Sequence, residues 1–325
     1  MDLPLGSIKA LYALDVTLLE KAEKGRRTEN YILSDGSKKY FLKKHYNSKE
    51  EEVAAMCLAE RFFAEGEVPV ILPILSNRGE AFFRYEAGLY SLYPFVEGRH
   101  LERGTLSGVA AVSLGATLGI LHKRGKNSAV PITERFTPWD KGQFLAKAEA
   151  IEAVTPAQKS EFDLLAYESL QLKKRFVEEN SLTYEQLELP EDCLIHGDYF
   201  CDNVFFDQKD TVTHVFDFEK VQYASGPYEL FRSLFVTFFS IPNEENLTHA
   251  KQYVDSYLSV CPFPVDLLHK SLTAAYLKQI HSLLVEEEHY LMGSERKDDI
   301  LLSQLPLNRY YLPNSKKNHS FLLGD

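Results

Sequence analysis

Apolar and polar positions change rhythm along the chain, and each change marks an element. "NYILSDG" and "KKYFLKKHY" are short apolar-rich runs around the turn Ser34-Asp35-Gly36-Ser37, the pattern of a β-hairpin. "SKEEEVAAMCLAERFFAEG" switches to a helical rhythm. Ser48 is placed to cap it, Glu50 to Glu52 suit its first turn, and Gly66 suits its end. "VPVILPIL", "EAFFRYEAG" and "LYSLYPFVEG" follow as three strand-like runs. Beyond Gly98 the rhythm is helical. "GVAAVSLGATLGILHKRG" comes first, then two amphipathic helices, "WDKGQFLAKAEAIEAV" and "TPAQKSEFDLLAYESLQLKKRFVEEN", meeting near Pro156. "PYELFRSLFVTFFSI" has the apolar density of a buried helix, and residues 246–292 are helical with a polar exterior. The tail from Leu301 carries too many turn residues to assign. The order predicts an α+β chain with a small, mostly β lobe holding one long helix (residues 1–96) and a large, mostly α lobe (residues 97–325). The boundary falls between Phe95 and Gly98.

Composition removes several classes of function. The chain has 325 residues, 45% of them hydrophobic, enough for a large core. With 36 basic and 47 acidic residues its formal charge is -11, which argues against a general nucleic-acid or membrane-surface role. Such a balance would suit a cationic substrate, although net charge is a poor guide to any one pocket. The four cysteines form no C-x-x-C pair and read as free thiols of a reducing cytoplasm. The N-terminus has no basic region before its apolar stretch, and Asp15 interrupts that stretch, so a cytoplasmic protein is expected. Gly104 to Leu121 carries no charge but is barely long enough to span a bilayer. Its Gly, Ser, Thr and Ala content fits a buried core helix.

The chemistry concentrates in "LIHGDYFCDNVFFD", Leu194 to Asp207. Asp198 and Asn203 lie in a turn between two apolar runs, and Asp217 ends a third, "VTHVFDF". A hairpin there would let Asn203 and Asp217 converge on one hard cation. An amide oxygen and a carboxylate suit Mg²⁺, which takes few protein ligands and completes its shell with phosphate and water. Asp198 would then face the same space as a free carboxylate, able to accept a proton from a hydroxyl nucleophile.

His196-Gly197-Asp198, four residues, Asn203, followed by Asp217-Phe218-Glu219, resembles the aminoglycoside phosphotransferase and choline kinase-like superfamily. Its small-molecule kinases carry H-G-D-x-x-x-x-N and a downstream D-[FWY]-[ED]. "GPYELFRSL" resembles the next family element, with Glu229 where an Asp usually precedes the Leu. "EGEVPVILPIL" and "YSLYPFVEGR" are most similar to the bacterial branch of homoserine kinase-like, spore-coat kinase-like and stress-response kinase-like proteins. The resemblance implies a two-lobed protein kinase-like fold, ATP and Mg²⁺ as cofactors, and a small-molecule hydroxyl as acceptor. Asp198 would be the base, and Asn203 and Asp217 the metal ligands. Lys43 would grip the phosphates; strand alternation puts it on one face with Phe41, and Lys44 on the other. Glu52 would be the helical partner of Lys43. Backbone groups around Tyr93 and Phe95 would meet the adenine edge, and "KGRRTENY", Lys24 to Tyr31, would cover the phosphates.

Two other classes share these residues. A catalytically inactive kinase-like module would bind nucleotide without turnover. A metal-dependent hydrolase would use His196, Asp198 and Asp217, but such sites take more His and Asp ligands than these positions supply. Within the kinase reading, a protein Ser/Thr kinase on the same fold is the alternative to a metabolite kinase.

Overall fold

Asp35 sets the first hairpin. Its Oδ1 accepts from the backbone N–H groups of Ser37 and Lys38, both at 2.8 Å, and Gly36 takes φ +89°. The computed structural model describes residues 3–22, 28–45, 48–133, 135–155 and 160–324. In it this turn joins β2 (Thr28–Ser34) to β3 (Lys39–His45). Three further strands complete an antiparallel sheet of order β1-β2-β3-β5-β4: β1 (Thr17–Ala22), β4 (Phe83–Tyr85) and β5 (Gly88–Pro94). Tyr31, Leu33, Tyr40, Leu42, Tyr90 and Leu92 form a buried face closed by Ile8 of α1 (Leu5–Tyr12). Lys44 shares that face and pairs with Glu29. The opposite face, with Phe41, Lys43 and His45, looks toward α2 (Glu50–Ala64) and the rest of the chain.

Sequence rhythm missed α1 and β1. The residues of β1 are almost all exposed, so an edge strand with no buried face has no alternation to read. "VPVILPIL" is not a strand. Pro69 and Pro73 lack N–H groups, and the segment makes only one short parallel bridge, Val70 to Val215, with the Val215 amide donating to the Pro69 carbonyl at 2.8 Å. That bridge ties the sheet-bearing part to the helical part. The expected phosphate-covering residues Lys24 to Arg27, like Pro156 between two helices, lie outside the described residues.

The helical part is organised around α3 (Gly108–Gly125). Its partner is α7 (Glu244–Val260), and glycines let the two approach closely: a Cβ on Gly119 would stand 2.8 Å from Val260 Cβ, and one on Gly115 would overlap the Tyr253 carbonyl oxygen. This is why the uncharged stretch is rich in small residues. No helix among the described residues is long and apolar enough to cross a membrane. Around this pair stand α4 (Lys141–Val154), α5 (Glu161–Glu179), α6 (Gly226–Phe238), α8 (Val265–Ile280), α9 (Leu284–Tyr290) and α10 (Asp298–Leu323). The tail left unassigned is therefore one helix. It runs through Pro306 and Pro313 because Leu301, Leu305, Leu307 and Leu322 are buried, and burial outweighs the poor local propensity. Two short ladders complete the architecture, β6 (Cys193–Ile195) with β9 (Gln222–Ala224) and β7 (Val204–Phe206) with β8 (Val212–Val215). The whole is a mixed α and β chain with one five-stranded antiparallel sheet, two short antiparallel ladders and a helical body.

The close α3–α7 packing reverses an ordinary rule. Gly→Ala inside a helix usually stabilises by about 1 kcal/mol through propensity. Gly115→Ala is expected to destabilise instead, by about 1–3 kcal/mol as for overpacking, with a fall in the urea midpoint. An unchanged or raised midpoint would show that the helices can separate without cost.

Candidate active site

The loop between β6 and β7 is held by one buried carboxylate. Glu229, in the first turn of α6, accepts from the His196 amide at 2.9 Å and the Tyr199 amide at 3.4 Å, and its Oε2 meets His122 Nε2 at 2.9 Å. Burial alone would raise its pKa; the hydrogen bond and charge of His122 outweigh this, and the pKa lies below the ordinary value. His122, expected only to complement the end of α3, turns its ring inward. Its Nδ1 contacts the Tyr257 hydroxyl at 2.9 Å. His196 is a loop-setting residue: Nε2 donates to the Phe216 carbonyl at 2.9 Å, and Nδ1 receives the Asp198 amide at 3.2 Å. Its ring lies 4.3 Å from that of Phe218, which stacks in turn on Phe63 of α2. Gly197 is required twice over. It takes φ +82°, and a Cβ there would run into the Lys220 carbonyl.

These contacts aim Asp198. Its Oδ1 accepts from Arg232 Nη2 at 2.6 Å and its Oδ2 from Lys220 Nζ at 2.8 Å, while Arg232 Nη1 donates to the Gly197 carbonyl at 2.8 Å. Burial would raise the Asp198 pKa, but the two cations outweigh it and bring it down to about 2. Neither Lys220 nor Arg232 was singled out in the sequence. Their only signal was position, three residues after Asp217 and three after Glu229. Asn203 Nδ2 donates to the Asp198 carbonyl at 2.8 Å, which leaves its oxygen for another partner.

Asp217 follows β8, beside Asn203: Val204 lies opposite Val215, and the Phe216 amide donates to the Asn203 carbonyl at 3.1 Å. Asp217 adopts φ 67°, ψ 61°, a left-handed conformation uncommon outside glycine and asparagine. Lys43 crosses from the sheet to meet it, with Nζ 2.8 Å from Asp217 Oδ1 and 2.8 Å from Glu219 Oε1. Burial would lower the Lys43 pKa; the two carboxylates more than reverse that. Burial would raise the Asp217 pKa, and Lys43 holds it below the ordinary value although the charge of Asp198 opposes this. Lys43, Asp217, Asn203 and Asp198 are therefore brought into one place.

Two expectations need correction. Glu52 does not reach Lys43. It is exposed at the start of α2, where its carboxylate accepts from the Lys49 amide at 3.0 Å and closes a capping box. The carboxylate of α2 that feels the Lys43 charge is Glu60, two turns on and only 3% exposed. The hinge also differs. Tyr93 pairs with Phe41 in the sheet and sends its hydroxyl to Glu60 at 3.2 Å, and the Phe95 amide is spent on the Lys39 carbonyl at 3.3 Å. The β3–β5 ladder and the bond that continues it take up one backbone donor of the segment expected to face adenine.

The donor set fits Mg²⁺. Asn203 keeps an oxygen open, and Asp217 has a second carboxylate oxygen beyond the one that Lys43 holds; both are hard ligands. Among the described residues no three His, Cys, Asp or Glu side chains gather as a dedicated metal cage. Two protein oxygens suit an ion that takes the rest of its shell from phosphates and water.

A small sheet bearing an inward lysine, a glutamate on the following helix, and a helical body presenting an Asp–Asn loop beside a second Asp define a kinase-like class of protein. The chain belongs to the phosphotransferase enzyme family, whose pattern matches residues 19–263. No curated protein matches it in sequence. Solved structures share its fold. A spectinomycin phosphotransferase in complex with ADP and spectinomycin is 14% identical, with a TM-score of 0.64 over 94% of this chain and 93% of that one. An aminoglycoside phosphotransferase from Alicyclobacillus acidocaldarius is 15% identical, with a TM-score of 0.64 over 97% and 94%. A microcompartment-associated aminopropanol kinase is 15% identical, with a TM-score of 0.62 over 96% and 97%.

Glu60 gives the site a pH signature. Burial first, against the pull of Lys43 and Tyr93, lifts its pKa to about 8. A carboxyl raised in the folded state favours folding most below its ordinary value, and that contribution is lost as pH rises toward 8. The melting temperature of the nucleotide-free chain is thus expected to decline between pH 5 and 8. Glu60→Gln should flatten the decline and Glu52→Gln should not. Parallel slopes for Glu60→Gln and the parent in calorimetry would assign the effect to another group.

Proposed function

We propose that this chain is an ATP- and Mg²⁺-dependent phosphotransferase that moves the γ-phosphoryl group of ATP to a hydroxyl of a small molecule. The observation that supports it best is the adjacency of an ionised, cation-backed Asp198 to Asn203 and Asp217, with Lys43 reaching them from the sheet. Residues 1–96 form the nucleotide lobe in this reading and residues 97–325 the acceptor lobe. Lys43 leaves its carboxylates to bind the phosphates, and Glu60 takes its charge in exchange. Bound Mg²⁺, held by Asn203 and Asp217, would neutralise charge on the β- and γ-phosphates.

The acceptor oxygen forms a bond to the γ-phosphorus while the bond from that phosphorus to the β–γ bridging oxygen breaks. ADP leaves with the electron pair, and the hydroxyl proton passes to Asp198 and then to water. A carboxylate with a pKa of about 2 is too weak a base to remove an alcohol proton before bond formation. Asp198 therefore first orients the hydroxyl and takes its proton late, as the oxygen becomes acidic on bonding to phosphorus. This suits a loose transition state with little nucleophile bonding. A cytoplasmic location accords with four buried, unpaired cysteines.

Substitutions separate the roles. Asp198→Asn should retain Mg-ATP binding and lower turnover by about 10² to 10⁴. Asp217→Asn and Asn203→Ala should instead make ATP affinity depend abnormally on Mg²⁺ concentration. Lys43→Ala should weaken ATP binding, and Lys44→Ala, on the other face of the sheet, should not. The measurements are calorimetry over a Mg²⁺ series and ADP release, with slow ATP hydrolysis as the readout where no acceptor is supplied. Parental turnover in Asp198→Asn would remove the base from the mechanism, and ATP binding without any turnover in the parent would favour the binding module.

A further inference from the structure

The groups that contact Asp198 from the helical side are basic. Arg232 of α6 and Lys220 both rest on that carboxylate. Lys278, from the neighbouring helix α8, joins them. Its ammonium lies against Phe136, which packs on Tyr228, one turn before Arg232 on α6; burial first, and then the Arg232 charge, lowers its pKa. Its Nζ donates to the Thr137 carbonyl at 2.7 Å and stands 5.4 Å from the centre of the Phe136 ring. No carboxylate pairs with Lys278 among the described residues. Of the acids nearby, Asp198 holds two cations, Glu229 serves His122 and two backbone amides, and Glu191 accepts from the hydroxyl of Tyr184, whose ring lies 4.4 Å from that of Phe136. Phe136 packs on Tyr228 with ring centres 4.7 Å apart, and Arg232 lies over Phe200 at 5.8 Å, so aromatic rings border the cations. A surplus of positive charge half-sheltered from water attracts an anion and repels an amine. The chain's formal charge of -11 points the other way, but it belongs to the surface as a whole and not to this place.

We propose that the acceptor carries an anionic group, a carboxylate or a phosphate, seated by Lys278, Arg232 and Lys220 beside the hydroxyl that receives the phosphoryl group. The inference rests on the phosphotransfer reading and deepens it. Cations here have a double use. They bind the acceptor's anion, and they offset the repulsion between that anion and the incoming γ-phosphate, which would otherwise oppose close approach. An amino alcohol or an aminoglycoside would bring its ammonium groups against Lys278 and Arg232, while Asp198 and Glu229 are already engaged.

The test uses the full chain with Mg-ATP and four matched sets of acceptors: hydroxy acids, sugar phosphates, neutral polyols and amino alcohols, the last including an aminoglycoside. ADP release is measured, together with binding of each compound by calorimetry to the chain loaded with Mg²⁺ and a non-hydrolysable ATP analogue. Anionic acceptors are expected to turn over and bind; the first two arms distinguish carboxylate from phosphate. Lys278→Gln should raise the KM for the anionic acceptor about 10-fold or more, as loss of one charge-assisted contact does, with kcat little changed. Lys278→Glu should raise it further, with Mg-ATP affinity and melting temperature near parental in both variants. Preference for amino alcohols or polyols overturns the proposal while leaving phosphotransfer intact. Anionic compounds that neither turn over nor bind overturn it as well, and so does an unchanged KM in Lys278→Glu. Failure of Mg-ATP itself to bind the parent would bring down the phosphotransfer reading on which it stands.

Discussion

Glu229 is the contact on which the site's geometry depends. A buried carboxylate is costly unless its lone pairs are filled, and here they are filled by the His196 amide, the Tyr199 amide and His122. These donors come from the loop after β6 and from the end of α3, while the acceptor begins α6, where the helix dipole favours negative charge. One side chain thus fixes three elements. One turn further along α6, Arg232 emerges on the same face and grips both the Gly197 carbonyl and Asp198. The loop is held from beneath by a carboxylate and from above by a guanidinium, both on one rigid helix. A glutamate in place of the family's usual aspartate keeps this arrangement, because what it must supply is an acceptor at the right depth.

Against that frame, it is clear why part of the site was legible in the sequence and part was not. Asp198, Asn203 and Asp217 lie within a short stretch whose apolar runs announce two strands, so local pattern sufficed to place them together. The period of a strand separated Lys43 from Lys44, and the family resemblance chose between them. Glu60 was missed because choosing among the acids of a helix requires its phase relative to a distant lysine, and Glu52 sits two turns too early, where the helix uses it as a cap. Lys220, Arg232 and Lys278 were missed for a related reason. Each is an ordinary basic residue until α6, α8 and the turn after β8 bring them together. The same limit explains α10, where buried leucines override two prolines, and β1, whose exposed residues carry no alternation.

The charges in the cleft form two sets that meet at Asp198. On the sheet side, Lys43, Asp217, Glu219 and Glu60 place one cation among three carboxyls, and burial first, with the charges of Asp217 and Glu219 adding to it, raises the pKa of Glu60. Such a set would suit a divalent cation, whose charge would add to that of Lys43. On the helical side, Lys220 and Arg232 both rest on Asp198, and Lys278 of α8 adds a third positive charge beyond Arg232.

That asymmetry keeps Asp198 ionised where a buried carboxyl between phosphates would otherwise take up a proton. Burial pushes its pKa upward, a bound phosphate would add to that push, and the charges and hydrogen bonds of Arg232 and Lys220 pull it down. Removing Lys220 or Arg232 would act on the proton acceptor without touching it. In the proposed reaction the two sets would divide the labour: the acidic set would gather metal and nucleotide, and the basic set would hold Asp198 in its charged form at the point where the two meet.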